Sequence, residues 1–239
     1  MNIAILTPTR NRIKRYHTFL ESIRDTRSGN HDIRCYNYID TDDPSIDLYK
    51  QSHMLNDTDI SVKNIYGESM SVSKSWNILA EQALSDGADV LMMGNDDQVY
   101  ITKNWDNRVE DLDNIWPDKI YLGWFEDKIN GAKHCAFPIV SRTWVDTLGY
   151  FTPGIFHFGC NDGWIFRLGK LVDRTKFLSD VVVEHRHMSK DGSLWDDTYA
   201  RNRTQQKGNL YAKDKAILNK SVGMLQEHAN KLKQVIRGT

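Results

Sequence analysis

The residues best suited to chemistry are the triplet Asn95-Asp96-Asp97, which follows the apolar run of residues 90–93. Amide and carboxylate oxygens are the ligands that hard divalent cations prefer. The end of a strand is where open α/β sheets bind phosphate-bearing ligands. The triplet therefore predicts a divalent-cation site that holds a diphosphate. Because Asn and Asp also favour turns, a polar turn without a metal is the alternative interpretation.

Two histidines end a predicted strand over residues 180–187. Side chains alternate along a strand, so His185 and His187 lie on one face. Imidazole is a common metal ligand, and either ring could complete the cation site. Partly buried histidines with ordinary hydrogen bonds are the alternative.

A third candidate, Asn161-Asp162, begins a predicted helix after a loop rich in glycine and aromatic residues. A carboxylate at this position could act as a general base if an acceptor hydroxyl lies within hydrogen-bond reach. Asn and Asp are also preferred helix N-caps, so a capping role is the alternative.

Polar residues also end the first two predicted strands. Thr7-Pro8-Thr9 and then Arg10 follow the first strand, and Asp40 ends the second. An acidic residue there can accept a hydrogen bond from a base or ribose, and arginines can bind phosphate. A turn before Pro44 and a solvated helix face are the respective alternatives.

The elements that must position these residues alternate between strand and helix. Apolar runs predict strands over residues 3–6, 34–39, 61–65 and 89–93, with helical stripes starting at Tyr16 and Val72. This order is typical of a parallel sheet covered by helices, and thus of an α/β fold, in which strand ends share one rim. Further strands are predicted over 120–125 and 136–140, a helix over 141–148, and loops over 149–163 and 189–208.

The C-terminal segment is basic and amphipathic. Residues 199–239 contain nine Lys/Arg and two Asp/Glu, which leaves the rest of a chain of net charge −1 acidic. A basic segment on an acidic body favours contact with something anionic, such as phosphate, nucleic acid or a membrane surface, or is only a solvated helix face. Apolar residues from Leu218 to Ile236 recur at helical spacing and are expected to pack on the core rather than pair with another chain.

Composition limits the compartment and the class of protein. The chain has 239 residues and three scattered cysteines without a CxxC motif, so a globular protein in a reducing compartment is expected. The apolar run at the N-terminus is too short for a signal peptide, and no apolar run approaches the length of about 18 residues that a membrane span needs. We expect a cytoplasmic location, in a bacterium or in the host cytoplasm if the protein is viral.

In order and spacing these motifs resemble the GT-A fold nucleotide-diphospho-sugar glycosyltransferases, especially the inverting family-two type. Residues 3–12 look like the family's first strand and nucleotide loop. Asp40 stands where the family has an acidic residue that contacts the nucleotide base, and Asn77 stands where it has a polar residue on the helix before the metal-binding strand. Asn95-Asp96-Asp97 is similar to the Asp-x-Asp motif, with Asn95 in place of its first acid.

The resemblance implies a glycosyltransferase, hexosyl or pentosyl, that uses Mn²⁺ or Mg²⁺. It implies that Asp97 and either His185 or His187 bind the metal, that Asp96 lies near the ribose, and that Asp162 is the base. Residues 1–195 would form one catalytic domain, with a nucleotide half (1–115) and an acceptor half (116–195). Residues 196–239 would form a flexible loop and a helical tail, and Arg201 would help that loop close over the diphosphate.

The resemblance implies a nucleotide-sugar donor, most simply a UDP-sugar. The acceptor is expected to be a hydroxymethylated pyrimidine in DNA, which suits the basic tail, or a surface glycan. A nucleotidyltransferase is the alternative enzyme, although the first strand lacks the glycine-rich loop that such enzymes use. A non-catalytic carbohydrate or nucleic-acid binding module is the other alternative, and the seven tryptophans favour it. The sequence predicts no oligomeric state.

Overall fold

The computed structural model describes residues 1–190, 195–203 and 209–238, without the side chains of residues 201–203. The strands are β1 (Asn2–Thr9), β2 (Asp32–Asp40), β3 (Ser61–Gly67), β4 (Val90–Met93), β5 (Gln98–Tyr100), β6 (Leu122–Glu126), β7 (Ile139–Ser141) and β8 (Thr175–His185). The helices are α1 (Ile13–Thr26), α2 (Ile46–Lys50), α3 (Val72–Ser85), α4 (Asn107–Ile115), α5 (Arg142–Leu148), α6 (Asn161–Val172), α7 (Asp197–Arg203), α8 (Leu210–Lys220) and α9 (Val222–Gly238).

One mixed sheet of eight strands organises the molecule. Its order is β3-β2-β1-β4-β7-β6-β8-β5. The pairs β1–β2, β2–β3, β1–β4 and β6–β8 are parallel, whereas β7 runs antiparallel to β4 and β6, and β5 runs antiparallel to β8. The expected α/β fold with a mixed, mostly parallel sheet and a C-terminal helix is confirmed.

The sheet is covered on both faces because its central strands are apolar on both sides. All four residues of β4 are buried, as parallel strands between helical layers require. On one face, Ile3 and Ile5 pack with α1; on the other, Leu6 and Leu91 pack with α3. The helical stripes predicted at Tyr16 and Val72 form α1 and α3.

Three short elements escaped prediction. The strand β5 has three residues and the helix α2 has five, too few to show a period. The helix α4 buries only Val109 and Leu112, so its sequence lacks an apolar stripe. The strand predicted over 180–187 was wrong at both ends, because β8 runs from Thr175 to His185, and the predicted 189–208 loop contains α7. Residues 191–194 and 204–208 of that loop lie outside the described residues.

The last helix, α9, packs against α5, α6 and α8. Leu218 of α8 and Leu225, Ala229 and Leu232 of α9 are buried in the same core as α5 and α6. Ile236 of the predicted stripe is partly buried against this core, whereas Val222, at the start of α9, is 62% exposed. Most of the stripe therefore packs on the core, which draws the basic segment against the body. No helix in the described parts of the chain is both long enough and apolar enough to cross a membrane.

Candidate functional site

A cavity of about 960 Å³ lies at one rim of the sheet and collects most of the candidate residues. Its wall includes Pro8, Thr9, Arg10, Asp40, Asn95, Asp96, Asp97, Asp162, His185 and His187. The carboxyl ends of β1, β2, β4 and β8 meet at this rim, because these strands point the same way. The volume suits a ligand of the size of a nucleotide-sugar.

Asp97 and His185 form a buried polar pair in the wall of the cavity. Their side chains are 4% and 13% exposed, and His185 Nε2 lies 3.5 Å from Asp97 Oδ2. Burial alone would raise the pKa of Asp97, but His185, Arg12 and Tyr199 outweigh it and lower that pKa to about 2. Asp97 is therefore a carboxylate at neutral pH.

The same pair offers ligand atoms that the described protein does not use. Asp97 Oδ1 and both ring nitrogens of His185 are buried without a hydrogen-bond partner among the described residues. Buried polar atoms without partners need an explanation such as an ion. One carboxylate and one imidazole fit Mn²⁺ or Mg²⁺, which take further ligands from substrate phosphates. Within the described ranges no group of three His, Cys, Asp or Glu side chains forms a complete metal centre.

Two aromatic residues border this pair. The Tyr199 hydroxyl donates a hydrogen bond to Asp97 Oδ2 at 2.8 Å. His187 stacks at a tilt on His185, with 4.9 Å between ring centroids, and its Nδ1 lies 2.8 Å from Ser189 Oγ. His185 is thus the histidine next to Asp97, and His187 lies one ring further away.

Asp96 is held by protein groups on both oxygens. Thr9 Oγ1 donates to Asp96 Oδ2 at 2.7 Å, and Arg12 Nη1 donates to Oδ1 at 2.9 Å. Arg12 also pairs with Asp196 through two hydrogen bonds of 2.8 and 2.9 Å. The buried carboxylate therefore ties β1, the end of β4 and the start of α7 together. A ribose contact for Asp96 stays a prediction.

Arg10 and Asp40 contact each other. Arg10 Nη1 donates to Asp40 Oδ2 at 2.7 Å and also forms an ion pair with Asp42. Thr198 Oγ1 donates to the Arg10 carbonyl at 2.9 Å, so α7 covers this corner of the cavity. Binding of a phosphate by Arg10 and of the nucleotide base by Asp40 stay predictions. In the structure the two side chains are paired with each other.

Two expected donor-binding residues lie outside the cavity wall. Thr7 is fully buried inside β1, next to Gly94. Asn77 uses its amide on a neighbouring loop: its Oδ1 accepts from Thr152 N at 2.9 Å, and its Nδ2 donates to Thr152 O at 2.9 Å. Their donor contacts remain predictions, and the hydrogen bonds of Asn77 give it a structural role. The side chain of Arg201 lies outside the described residues.

Asp162 also lines the cavity and lies in the first turn of α6. Its Oδ2 is 2.8 Å from His134 Nε2. Neither Asn161 nor Asp162 caps the helix; the capping residue is Cys160, whose φ of 64° lies in the left-handed region. Asp162 lines the cavity, where its carboxylate can accept a proton from a hydroxyl ligand.

Sequence reasoning missed His134 as a site residue. It precedes β7, and β7 runs antiparallel to β4, so the residues before β7 reach the same rim as the residues after β4. The sequence signal was a polar residue just before a predicted strand, but only the strand direction places it at the rim.

Asp214 of α8 was also missed. Its fully buried carboxylate accepts hydrogen bonds from the backbone N–H groups of His157, Phe158 and Gly159 at 2.9, 2.7 and 2.8 Å. The loop before α6 is thereby fastened to the C-terminal segment. Tyr211 and Lys215 of the same helix line the cavity, so the basic segment forms part of its wall.

Comparison with known proteins shows likeness in structure only. No family model matches the chain, and no curated protein matches it in sequence. The structure resembles S. aureus TarS 1-349 in complex with UDP-GlcNAc, with a TM-score of 0.59 and 14% identity over 85% of this chain and 65% of that one. It also resembles the mannosyltransferase PcManGT from Pyrobaculum calidifontis in complex with GDP-Man and Mn²⁺, with a TM-score of 0.59 and 12% identity over 98% and 72%.

A longer S. aureus TarS structure matches with a TM-score of 0.56 and 14% identity. That match includes 80% of this chain and 38% of the longer protein. The chain is thus shorter than each of these proteins. From the sheet, the rim cavity and these neighbours together, the chain has the fold of GT-A-type glycosyltransferases.

Proposed function

We propose that the protein is a metal-dependent glycosyltransferase that moves a sugar from a nucleotide-sugar to an acceptor hydroxyl. One observation carries the proposal: Asp97, His185 and Asp162 line one and the same cavity. Asp97 and His185 suit a cation and a diphosphate, and Asp162 suits the activation of a hydroxyl. A transfer reaction needs both.

The donor half is formed by the ends of β1, β2 and β4. The TarS neighbour binds UDP-GlcNAc and the mannosyltransferase binds GDP-Man, which supports a nucleotide-sugar as the ligand class. We propose a UDP-sugar as the donor, with its base near Asp40 and its diphosphate near Arg10 and Asp97. A bound nucleotide would therefore either break the Arg10–Asp40 ion pair or contact the two side chains while they stay paired.

Asp97 and His185 would hold Mn²⁺ or Mg²⁺, with His187 as the second candidate imidazole. The orphaned oxygen of Asp97 and the ring nitrogens of His185 support this assignment. The neighbouring mannosyltransferase contains Mn²⁺ together with its donor. When bound, such a cation would neutralise the charge that develops on the leaving diphosphate.

Asp162 is the proposed base. Its carboxylate takes the proton as the O–H bond of the acceptor breaks, and the acceptor oxygen forms a bond to the anomeric carbon. The bond from that carbon to phosphate breaks, and its electron pair leaves with the nucleoside diphosphate. Attack from the side opposite the leaving group inverts the anomeric carbon, so the proposed outcome is inversion.

A donor screen tests the function directly. Thermal unfolding is measured with UDP-, GDP- and dTDP-sugars, each with and without Mn²⁺. We expect one nucleotide-sugar to raise Tm, and the rise to depend on Mn²⁺. Release of nucleoside diphosphate from that donor is then followed with two acceptors: duplex DNA that contains 5-hydroxymethylcytosine, and a mixture of neutral monosaccharides.

Asp97→Asn separates the metal site from the rest of the fold. It removes the charge that would hold the cation, and we expect turnover to fall to background. Asp25→Asn is the matched control, because that carboxylate is 61% exposed at the end of α1. Full Mn²⁺-dependent turnover by Asp97→Asn would sink the metal assignment, and the lack of any nucleotide-sugar effect on wild-type protein would sink the function.

A further inference from the structure

We propose that His134 is a positioning residue that orients Asp162 for removal of the acceptor proton. The inference rests on the proposed function, because it assigns a role within the same site. His134 is not among the residues that carry the family resemblance. It lies just before β7, whereas the proposed base Asp162 lies in α6. Three sets of contacts carry it.

The first is the hydrogen bond between the two side chains. His134 Nε2 lies 2.8 Å from Asp162 Oδ2, and both side chains are about one third exposed at the cavity wall. Among the described residues, no hydrogen bond reaches Asp162 Oδ1. A donor fixed on one oxygen leaves the other to meet the acceptor hydroxyl, which is the arrangement a general base needs.

The second is the packing behind the imidazole. The ring of Phe166 stands edge-on to His134, with centroids 5.5 Å apart and planes at 85°. Phe166 follows Asp162 by four residues, so both lie on the same face of α6. One helix therefore holds the imidazole both through a hydrogen bond and through an aromatic contact.

The third is the loop that carries His134. Asp127 Oδ1 accepts hydrogen bonds from Ile129 N and Asn130 N at 2.8 and 2.6 Å, which closes the turn that leads to His134. The Asp127 carbonyl also accepts from His185 N at 3.1 Å. The turn that places the partner of the base is thus bonded to the strand that carries the proposed metal ligand.

The charges around the imidazole agree with this role. The hydrogen bond that the imidazole donates to Asp162 is the main influence that raises the pKa of His134, burial opposes it, and the charges of Asp162 and Asp127 add to the rise. A protonated imidazole is a stronger donor than a neutral one. After deprotonation, the tautomer with hydrogen on Nε2 still donates to Asp162, so orientation persists at higher pH.

An NMR titration tests the contact without any turnover. The pKa of His134 is measured in wild-type protein and in Asp162→Asn through the imidazole Cε1–H resonance. We expect the wild-type pKa to lie above 6.5 and to fall in the variant, because the negative partner is gone. An equal pKa in both proteins would overturn the proposal.

Kinetics test the role. The assay is Mn²⁺-dependent hydrolysis of the nucleotide-sugar that gives the largest rise in Tm, with water as acceptor. We expect His134→Phe to lower kcat about tenfold or more, yet less than Asp162→Asn, for which the loss of a general base predicts roughly 10²–10⁴-fold. The KM for the donor should stay within about twofold, because His134 lies outside the donor half.

Rescue by a conservative variant distinguishes positioning from mere packing. His134→Gln keeps a hydrogen-bond donor and should recover part of the kcat that His134→Phe loses, with the KM for the donor unchanged. His53→Gln, whose side chain is 64% exposed, is the control and should leave kcat unchanged.

The two proposals fail in different ways. Wild-type protein without any nucleotide-sugar hydrolysis would overturn the function, while the NMR titration would still decide the contact. Wild-type turnover with an unchanged kcat in His134→Phe, or with no recovery of kcat in His134→Gln, would overturn the positioning role alone. Loss of turnover in His134→Gln together with full turnover in Asp162→Asn would reverse the two roles and so also overturn the proposal.

Discussion

The Tyr199 hydroxyl donates a hydrogen bond to Asp97 Oδ2 at 2.8 Å, so helix α7 contacts the carboxylate that lies beside His185. The ring of Tyr199 also lies over Arg12, 4.6 Å from the guanidinium carbon to the ring centroid. Asp196, three residues earlier, holds the same arginine. The start of α7 therefore contacts both the proposed metal ligand and its buried neighbours.

Removal of the Tyr199 hydroxyl should destabilise the protein in a metal-dependent way. Tyr199→Phe deletes a hydrogen bond to a charged acceptor, which predicts a loss of about 1.5–3 kcal/mol in the free energy of unfolding in urea without metal. With saturating Mn²⁺ and donor the loss should shrink, because Asp97 then has another partner. Tyr199→Leu also removes the ring from Arg12 and should lose more. A Tyr199→Phe protein as stable as wild type would show that the hydroxyl contributes nothing, and equal losses in both variants would show that the ring adds nothing to the hydroxyl.

Arg12 should be essential for stability. Its side chain is 10% exposed and pairs with Asp96, which is 3% exposed, so Arg12→Gln leaves a buried carboxylate without its cation. Breaking such a pair predicts a loss of about 3–5 kcal/mol in urea unfolding. Lys231→Gln is the control, because its exposed ion pair with Glu227 should contribute less than about 1 kcal/mol. Similar losses in the two variants would contradict the burial argument.

Asp214 should fasten α8 to the loop before α6. Asp214→Asn keeps the size but turns an amide N–H₂ toward backbone donors, so at least one buried group loses its partner. We expect a loss of about 1–3 kcal/mol, measured by urea unfolding. The control Glu227→Gln changes an acid on α9 whose side chain is 64% exposed, and it should be near neutral. An Asp214→Asn protein as stable as wild type would rule out the clamp.

Gly94 should tolerate no side chain. A Cβ at this position would contact the Thr7 hydroxyl and lie 2.9 Å from Ile5 Cγ2 and 3.1 Å from the Leu6 carbonyl. Because these atoms belong to the central strand β1, Gly94→Ala should lower stability by about 1–3 kcal/mol in thermal or urea unfolding. Gly223→Ala, on α9 with no atom within 4 Å, should be neutral or stabilising. The reverse order would contradict the packing at the end of β4.

Much of the first half followed from local sequence. Alternating apolar runs and helical stripes predicted β1, α1, β2, α3 and β4, because each buries a continuous face that the chain order alone reveals. The rim with Thr9, Asp40 and Asn95-Asp96-Asp97 followed as well, since parallel strands end at one edge. Burial of the C-terminal stripe from Leu218 onward was similarly readable from its spacing.

The pairing of side chains within the rim depended on the tertiary structure. Local sequence could not indicate that Arg10 meets Asp40, that Arg12 meets Asp96, or that Tyr199 crosses the chain to Asp97. These contacts join segments 30 to 102 residues apart, and nothing in a local period encodes them. His134 met Asp162 only because β7 reverses direction beside β4. The sequence determined which residues are available at the rim, whereas strand direction and helix packing decided which of them touch.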